Sequence, residues 1–352
     1  MSKNSMKFVG LMSGSSLDGL DIALCQFDKK GNSFTGSIEK AITVPFPKPL
    51  SKRLSQGAIL DAYALSLLDH DFGKWCGEQV AKHFSKETFT AIASHGHTLL
   101  HHPEKGFSLQ IGHGAAMATA AQKPVVCDFR NNDIANGGQG APLVPFGELH
   151  LFEKVDAFIN LGGIANISFL KGPKPLAYDV CACNQWLNAA ANLKRKPFDK
   201  DGKLALKGTV NIKCQKALES WKFYQLPAPK SLSNQAVMQQ FQKGLAFDLK
   251  AEDLSATLVE HISSELSAAL LRFAPKGKVM ISGGGAFHPL LIQKIQQKSN
   301  WQLIIPDSIK VQYKEAFIFA FLGYCRWKEL PNTVSKLTGA KKDTCSGAIY
   351  LP

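Results

Sequence analysis

No apolar run in this sequence is long enough to cross a bilayer. The longest, AFIFAFLGYC at Ala316–Cys325, is about half of what a span needs. The opening MSKNSMKFVGLMSGSSLDGLD has no uninterrupted apolar stretch, and Asp18 and Asp21 come too early for a signal peptide. A soluble cytoplasmic protein with no membrane partner is therefore expected. The eight cysteines are too dispersed for a disulfide framework, and none has the spacing of a zinc site. There is no GxxxxGK[ST] segment and no GxGxxG after a predicted strand, which excludes a P-loop and a dinucleotide fingerprint. Low-complexity tracts are also missing. Lysine and arginine outnumber the acidic residues by 41 to 28, a net charge of +13. The lysines are scattered (Lys29, Lys30, Lys194, Lys196, Lys341, Lys342) rather than gathered in a stripe, so a solvated basic surface is expected and no nucleic-acid partner.

What the chain does have is core material: 352 residues, 45% hydrophobic and 20% charged, enough for two globular domains. Predicted strands alternate with helices, which argues α/β. Strands are expected at Lys7–Met12, Leu20–Phe27, Ala91–Ser94, Pro124–Asp128, Ala157–Leu161, Asn166–Leu170 and Lys278–Ser282. Long helices are expected at Ile59–Phe84, Gln235–Lys250 and Leu254–Phe273, the last with acidic residues at its start, where the helix dipole favours them. The polar, glycine-rich NNDIANGGQG marks a break after Asp128. This assigns residues 1–128 plus 336–352 to an N-terminal lobe and residues 129–335 to a C-terminal lobe.

Three glycine turns carry the chemistry. Phe8–Phe27 and Ala157–Leu170 each read strand, glycine turn, strand, and Val279–Ile295 reads strand, Gly283-Gly284-Gly285, helix. A turn over Gly14, Ser15, Ser16, Leu17, Asp18 and Gly19, leading into Leu20 and Asp21, can aim backbone N–H groups and hydroxyls into a phosphate-sized concavity. Gly162, Gly163 and Asn166 would form a second such turn. Gly283–Gly285 would let a ligand approach the backbone closely. Any one of them alone reads equally as a tight turn. In this order they resemble the two phosphate motifs and the adenosine motif of the sugar kinase/actin superfamily. That resemblance implies two related α/β domains, each a mixed sheet flanked by helices, around an interdomain cleft that closes on ATP.

GLMSGSSLDGLD, SHGHTLLHHP, DFRNNDIANGGQGAPLVPFGELHLF, NLGGIANIS, Pro229-Lys230-Ser231, SGGGAFHPLL and EAFIFAFLGYCRWKELPNTVSKLTGA resemble, in this order, the anhydro-N-acetylmuramic acid kinase family. The resemblance implies a kinase of peptidoglycan recycling. With ATP, its Mg²⁺ and water, it would open the 1,6-anhydro bridge of the sugar and phosphorylate O6, giving N-acetylmuramic acid 6-phosphate. The family's catalytic aspartate falls on Asp179 in AYDVCACNQW. Arg130 would meet the sugar's lactyl carboxylate, with Glu315 and His95 beside it as sugar-binding residues. Taken singly, Asp179 also reads as a strand-end cap, Arg130 as an ion-pair partner of Asp128 or Asp133, and Glu315 as a first-turn helix residue. The family also implies a homodimer.

The chain departs from the family mainly on the sugar side. Cys181-Ala182-Cys183 stands where the family has Gly-Pro-Gly, so side chains occupy a turn suited to glycine torsions. Where the family continues Pro-Lys-Ser with a Thr-Gly-Arg-Glu run, this chain has SLSNQAV and so loses an arginine and a glutamate, His97 stands for glutamine, and Ser15 for threonine. Two other readings follow: a kinase for another 1,6-anhydrosugar such as levoglucosan, or a catalytically silent relative that binds ATP or sugar. His95, His97, His101, His102 and His113 lack helical ligand spacing, so cleft-lining or solvent contact is expected rather than a metal. Cys181 and Cys183 read as buried thiols, or as redox-sensitive ones if they border the site.

Overall fold

The computed structural model describes residues 5–352 apart from 15, 16, 18, 153, 154, 171–173 and 246. Ser15, Ser16 and Asp18 of the first glycine turn therefore lie outside the described residues. The chain divides into two compact units, Met1–Glu153 with Tyr313–Pro352, and Lys154–Gln312. The switch points differ from those expected at 128 and 335, for a reason visible in the hydrogen bonds. The glycine-rich segment that reads as a break is bonded into unit 1: Gln139 N–H donates to Thr338 O (2.7 Å), and Lys341 N–H to Asn136 O (3.1 Å). The helix Val144–Leu151 then packs Phe146 on Phe321, ring centroids 5.6 Å apart.

Among the described residues, twelve strands build two sheets. Unit 1 contains β1 (Met6–Ser13), β2 (Leu20–Lys30), β3 (Ser33–Val44), β4 (Ala91–His102), β5 (Phe107–Ile111) and β6 (Val125–Cys127). Unit 2 contains β7 (Ala157–Leu161), β8 (Ile164–Phe169), β9 (Leu176–Ala182), β10 (Gly277–Ser282) and β11 (Trp301–Ile304), and the chain ends back in unit 1 with β12 (Ala348–Tyr350). The first sheet runs β12-β6-β4-β1-β2-β3, with β5 paired to β4, and the second runs β11-β10-β7-β8-β9. In each, an antiparallel three-strand meander (β1-β2-β3, β7-β8-β9) continues through its first strand into two parallel ones (β4 and β6, β10 and β11). The expected α/β pair is thus a duplication in strand order as well as in the two hairpins.

β1 and β2 read as nearly continuous apolar runs because both of their faces are covered. In β1 and β2, Phe8, Ala23, Cys25 and Phe27 face one core with the helix Ser308–Trp327, while Val9, Leu11, Ile22 and Leu24 face another with the helix Ala62–Phe84. Gly10 permits the first packing: a Cβ there would sit within 3 Å of the Ala316 carbonyl carbon, so helix backbone lies directly on the strand. Unit 2 has one large core beneath β7–β10, with Trp186 and Trp301 fully buried.

Helix limits moved by a few residues. The first long helix starts at Ala62, where Asp61 caps it by accepting from Ala64 N–H (2.8 Å), after a short 3-10 turn at Gly57–Ile59. The next two are Asn234–Leu245 and Ala251–Phe273, and Glu252 and Asp253 occupy the first turn of the latter. Among the described residues, no helix is long and apolar enough to cross a membrane.

Candidate active site

In unit 2, strand register places four polar residues in one row. Ser282 on β10 pairs with Asn160 on β7, Asn160 with Asn166 on β8, and Asn166 with Asp179 on β9. Register partners share a face, so these side chains line up at the end of the sheet that carries both glycine turns. A bulge between Ala165 and Asn166 brings Asn166 and Asp179 into the row. The turn at Gly162 and Gly163 is fixed by the helix Asn184–Asn192, whose first N–H groups it caps: Cys183 and Gln185 donate to Gly163 O (2.9 and 3.2 Å), Asn184 to Gly162 O (3.0 Å). The Asn184 side chain reaches across to Leu161 O (2.8 Å) and lies beside Gly284 and Gly285. Gly283 takes φ 82, and a Cβ there would be 2.6 Å from Asn160 Oδ1. Two of the three predicted glycine segments therefore meet within one unit.

Asp179 lies inside β9 rather than at its end, half-buried, and is held twice by the segment after Pro229. Its N–H donates to Lys230 O (2.9 Å), and its Oδ2 accepts from Leu232 N–H (2.8 Å). Burial raises the carboxyl's pKa above the usual range, and the Leu232 N–H opposes that shift. Lys230 anchors the clamp by donating to Phe223 O (2.9 Å) and lying over the Phe223 ring. The Cys181-Ala182-Cys183 substitution leaves the strand intact. Cys181 and Ala182 are the last two residues of β9, Cys183 follows at φ −134°, and all three are fully buried in the core. Neither thiol is primed for redox chemistry: burial pushes Cys183 up to about 12 and Cys181 well above its ordinary value.

Beside Gly284 and Gly285 opens a cavity of about 430 Å³. It is lined by Phe198, Asp199, Lys200 and Asp201, by Phe287 and His288, and by Asn184, Leu187 and Asn188. Its volume and its mix of aromatic rings with a few polar groups suit a small ligand.

In unit 1, β1 and β2 form the other glycine hairpin, with Leu17 at φ 57 and Leu17 N–H bonded to Gly14 O (3.3 Å). Gly19 sits against Val44 O, Leu20 is buried in β2, and Asp21 accepts from Thr43 Oγ1 (2.6 Å). Arg130 donates to Gly140 O (2.6 Å) and to His95 Nε2 (2.8 Å). An arginine cannot accept, so His95 Nε2 carries the lone pair and Nδ1–H donates to Gly96 O (3.0 Å). Burial and the adjacent guanidinium keep His95 neutral by pulling its pKa well below 6.5. Burial also draws Arg130 down to about 10, and Glu315 opposes that shift.

The ion pairs read for Arg130 are replaced by this contact. Asp133, fully buried, accepts instead from Gly140 N–H and Thr338 Oγ1 (both 2.8 Å), and Asp128 accepts from Asn131 Nδ2 (2.8 Å). Glu315 does not open a helix. The helix begins at Ser308 and bends at Tyr313, and Glu315 follows the bend, half-buried. Its carboxyl is raised by burial, with Lys314 and Arg130 lowering it and Asp21 and Glu148 raising it. Arg130, His95 and Glu315 thus form one electrostatic group. Among the described residues no cluster of three or more His, Cys, Asp or Glu side chains could hold a metal ion.

Comparison with known proteins decides the family. A family model for anhydro-N-acetylmuramic acid kinase matches residues 6–352. The chain belongs to the anhydro-N-acetylmuramic acid kinase family. It is 32% identical to the anhydro-N-acetylmuramic acid kinase of Vibrio vulnificus (strain YJ016), over 97% of this chain and 98% of that one. To the enzyme of Shewanella sp. (strain ANA-3) it is 34% identical over 99% of both. Among solved structures it is similar to the activator of the 2-hydroxyisocaproyl-CoA dehydratase from Clostridium difficile with bound ADPNP, with TM-score 0.47, 15% identity, and 94% and 100% of the two chains covered.

Within this anhydro-N-acetylmuramic acid kinase family member, the departures have local roles. His97, in place of glutamine, bonds Ser13 through Nδ1 (2.9 Å) and so ties β4 to the strand end that enters the first glycine turn. Asn234 accepts from Gln185 Nε2 (2.6 Å), linking the altered run to the helix beneath the second turn. Sequence reasoning missed the cavity-lining residues Phe198, Asp199, Phe287, His288, Asn184 and Asn188. The only usable signal was His288 before Pro289, a helix-start pattern directly after the glycine triplet.

Proposed function

We propose that the chain is an ATP-dependent kinase that opens the 1,6-anhydro ring of anhydro-N-acetylmuramic acid and phosphorylates O6, yielding N-acetylmuramic acid 6-phosphate for peptidoglycan recycling in the cytoplasm. The observation that carries this reading is the family match from residue 6 to the C-terminus. In this mechanism Asp179 takes a proton from a water molecule as that water's oxygen bonds to C1. The C1–O6 bond breaks, O6 attacks the γ-phosphorus, and ADP leaves. A raised carboxyl pKa suits the role, because a base nearer neutrality accepts a proton more readily. The Leu232 N–H occupies Oδ2, so Oδ1 is the atom that faces water.

Arg130, with its fork oriented by His95, is the partner for the lactyl carboxylate, and Glu315 accepts from sugar hydroxyls. The phosphates fall to Gly162, Gly163 and Asn166 and to the turn from Gly14 to Asp21, with Ser15 and Ser16 supplying hydroxyls. The nucleoside falls to the cavity at Gly283–Gly285. With no acidic cluster among the described residues, a Mg²⁺ ion would arrive as part of the nucleotide, coordinated mainly by phosphate and water. Phosphoryl transfer then depends on positioning and charge neutralisation.

The loss of the arginine and glutamate at Leu232–Gln235 favours levoglucosan as the second candidate. Mass spectrometry of the product separates them. We expect anhydro-N-acetylmuramic acid with ATP to yield a sugar heavier by one water and one phosphoryl group. Turnover of levoglucosan alone would move the substrate assignment, and no phosphosugar from either would leave a silent relative.

A further inference from the structure

The unit 2 cavity is lined in part by two stretches of chain that no strand pairing joins, Phe198–Asp201 and Gly284–His288. Phe198, Lys200, Asp201 and Phe287 are exposed there, but Asp199 and His288, one from each stretch, are only 7% and 6% exposed. His288 caps the helix Pro289–Lys298, with Nδ1 accepting from Leu291 N–H (3.2 Å). That bond puts the proton of the neutral ring on Nε2. Nε2 lies 3.5 Å from Asp199 Oδ2 and meets no closer hydrogen-bond partner among the described residues. Asp199 in turn closes its own loop, accepting from Leu204 N–H (2.7 Å) and Ala205 N–H (3.0 Å). The backbone at Gly202 (φ 67) rests on the ring, where a Cβ would come within 2.8 Å of His288 Cε1.

Helix capping explains Nδ1 and loop closure explains two lone pairs of Asp199, but neither explains why the remaining imidazole N–H and the carboxylate are buried facing each other. Burying such groups is costly unless they act on one another. We propose that Asp199 and His288 form a latch between the two stretches, which sets the position of Phe198, Lys200 and Asp201 against a bound nucleoside. Both are positioning residues, and the inference rests on the nucleotide reading of this cavity. The carboxylate draws the imidazole N–H toward it and holds the loop against the start of the helix. Without that attraction the loop keeps its own turn, but its exposed side chains no longer meet the ligand in a fixed place.

Two variants isolate the latch. His288→Asn keeps a helix cap, since asparagine is a good one, but withdraws the ring N–H from Asp199. Asp199→Asn keeps the acceptor for Leu204 N–H while replacing Oδ2, the charged oxygen that faces Ala205 N–H and the ring, with an amide NH2. In the full-length protein, we expect either to raise the KM for ATP and the calorimetric Kd for ADP about tenfold, with kcat for the sugar little changed. The double variant should be no worse than either single one, because both remove the same contact. Unchanged ADP affinity in the single variants, additive losses in the double one, or a fall in kcat at constant KM would overturn the latch. A wild-type protein that binds no ADP would overturn the nucleotide reading, and the latch with it.

Discussion

Replacing Asp179 with asparagine is expected to lower kcat by about 10² to 10⁴-fold, the range in which a positioned general base contributes, with little change in ATP affinity. Asparagine is isosteric and still accepts from Leu232 N–H, so the clamp from Lys230 to Leu232 survives and only proton acceptance is lost. Steady-state kinetics on the variant, with ADP binding as the control, checks this. A pH profile gives the same group a second signature. The base works only when ionised, so activity falls as pH drops through its pKa. Burial has raised that pKa, so the acid limb should lie above the range of an ordinary aspartate, near 3.9. An Asp179→Asn variant with wild-type kcat would assign the proton transfer elsewhere.

The second large effect concerns stability. Lys314 and Glu148 are 166 residues apart in sequence, and their side chains, 5% and 4% exposed, form an ion pair of 2.7 Å. The second carboxylate oxygen of Glu148 is buried without a hydrogen-bond partner among the described residues. Lys314→Met leaves that charge alone inside the protein and is expected to cost about 3–5 kcal/mol. Replacing both with methionine removes the orphan and should recover most of the loss. Thermal unfolding of the three variants reads this directly, and a double variant as unstable as the single would refute the pairing argument. Lys314 also precedes Glu315 and lowers its pKa, so the single variant should raise the KM for the sugar.

Asp179 and the Lys314–Glu148 pair differ in how legible they are in the sequence. Asp179 was visible because it sits in a segment whose flanks match a family motif. The Lys314–Glu148 pair was invisible, since no local pattern links a buried lysine after a helix bend to a glutamate in Val144–Leu151. The same contrast runs through the fold. β1, β2, β7 and β8 announce themselves as apolar runs around glycine turns, but β3 alternates between exposed and half-buried residues and includes Glu39 and Lys40, as befits a sheet edge. β9 escaped notice because its first four residues are only half-buried. At the site, Arg130 and His95 were each singled out, but their contact depends on tertiary placement. The cavity beside Gly284 and Gly285 escaped because three separate segments assemble it, and only one carries a motif.

Water is added at C1 while O6 becomes the phosphoryl acceptor, and turnover of anhydro-N-acetylmuramic acid in H₂¹⁸O with ATP reads this out. One ¹⁸O atom is expected in the C1 hydroxyl of the phosphosugar and none in the bridging O6. Label at O6, or an unlabelled C1 hydroxyl, would contradict it.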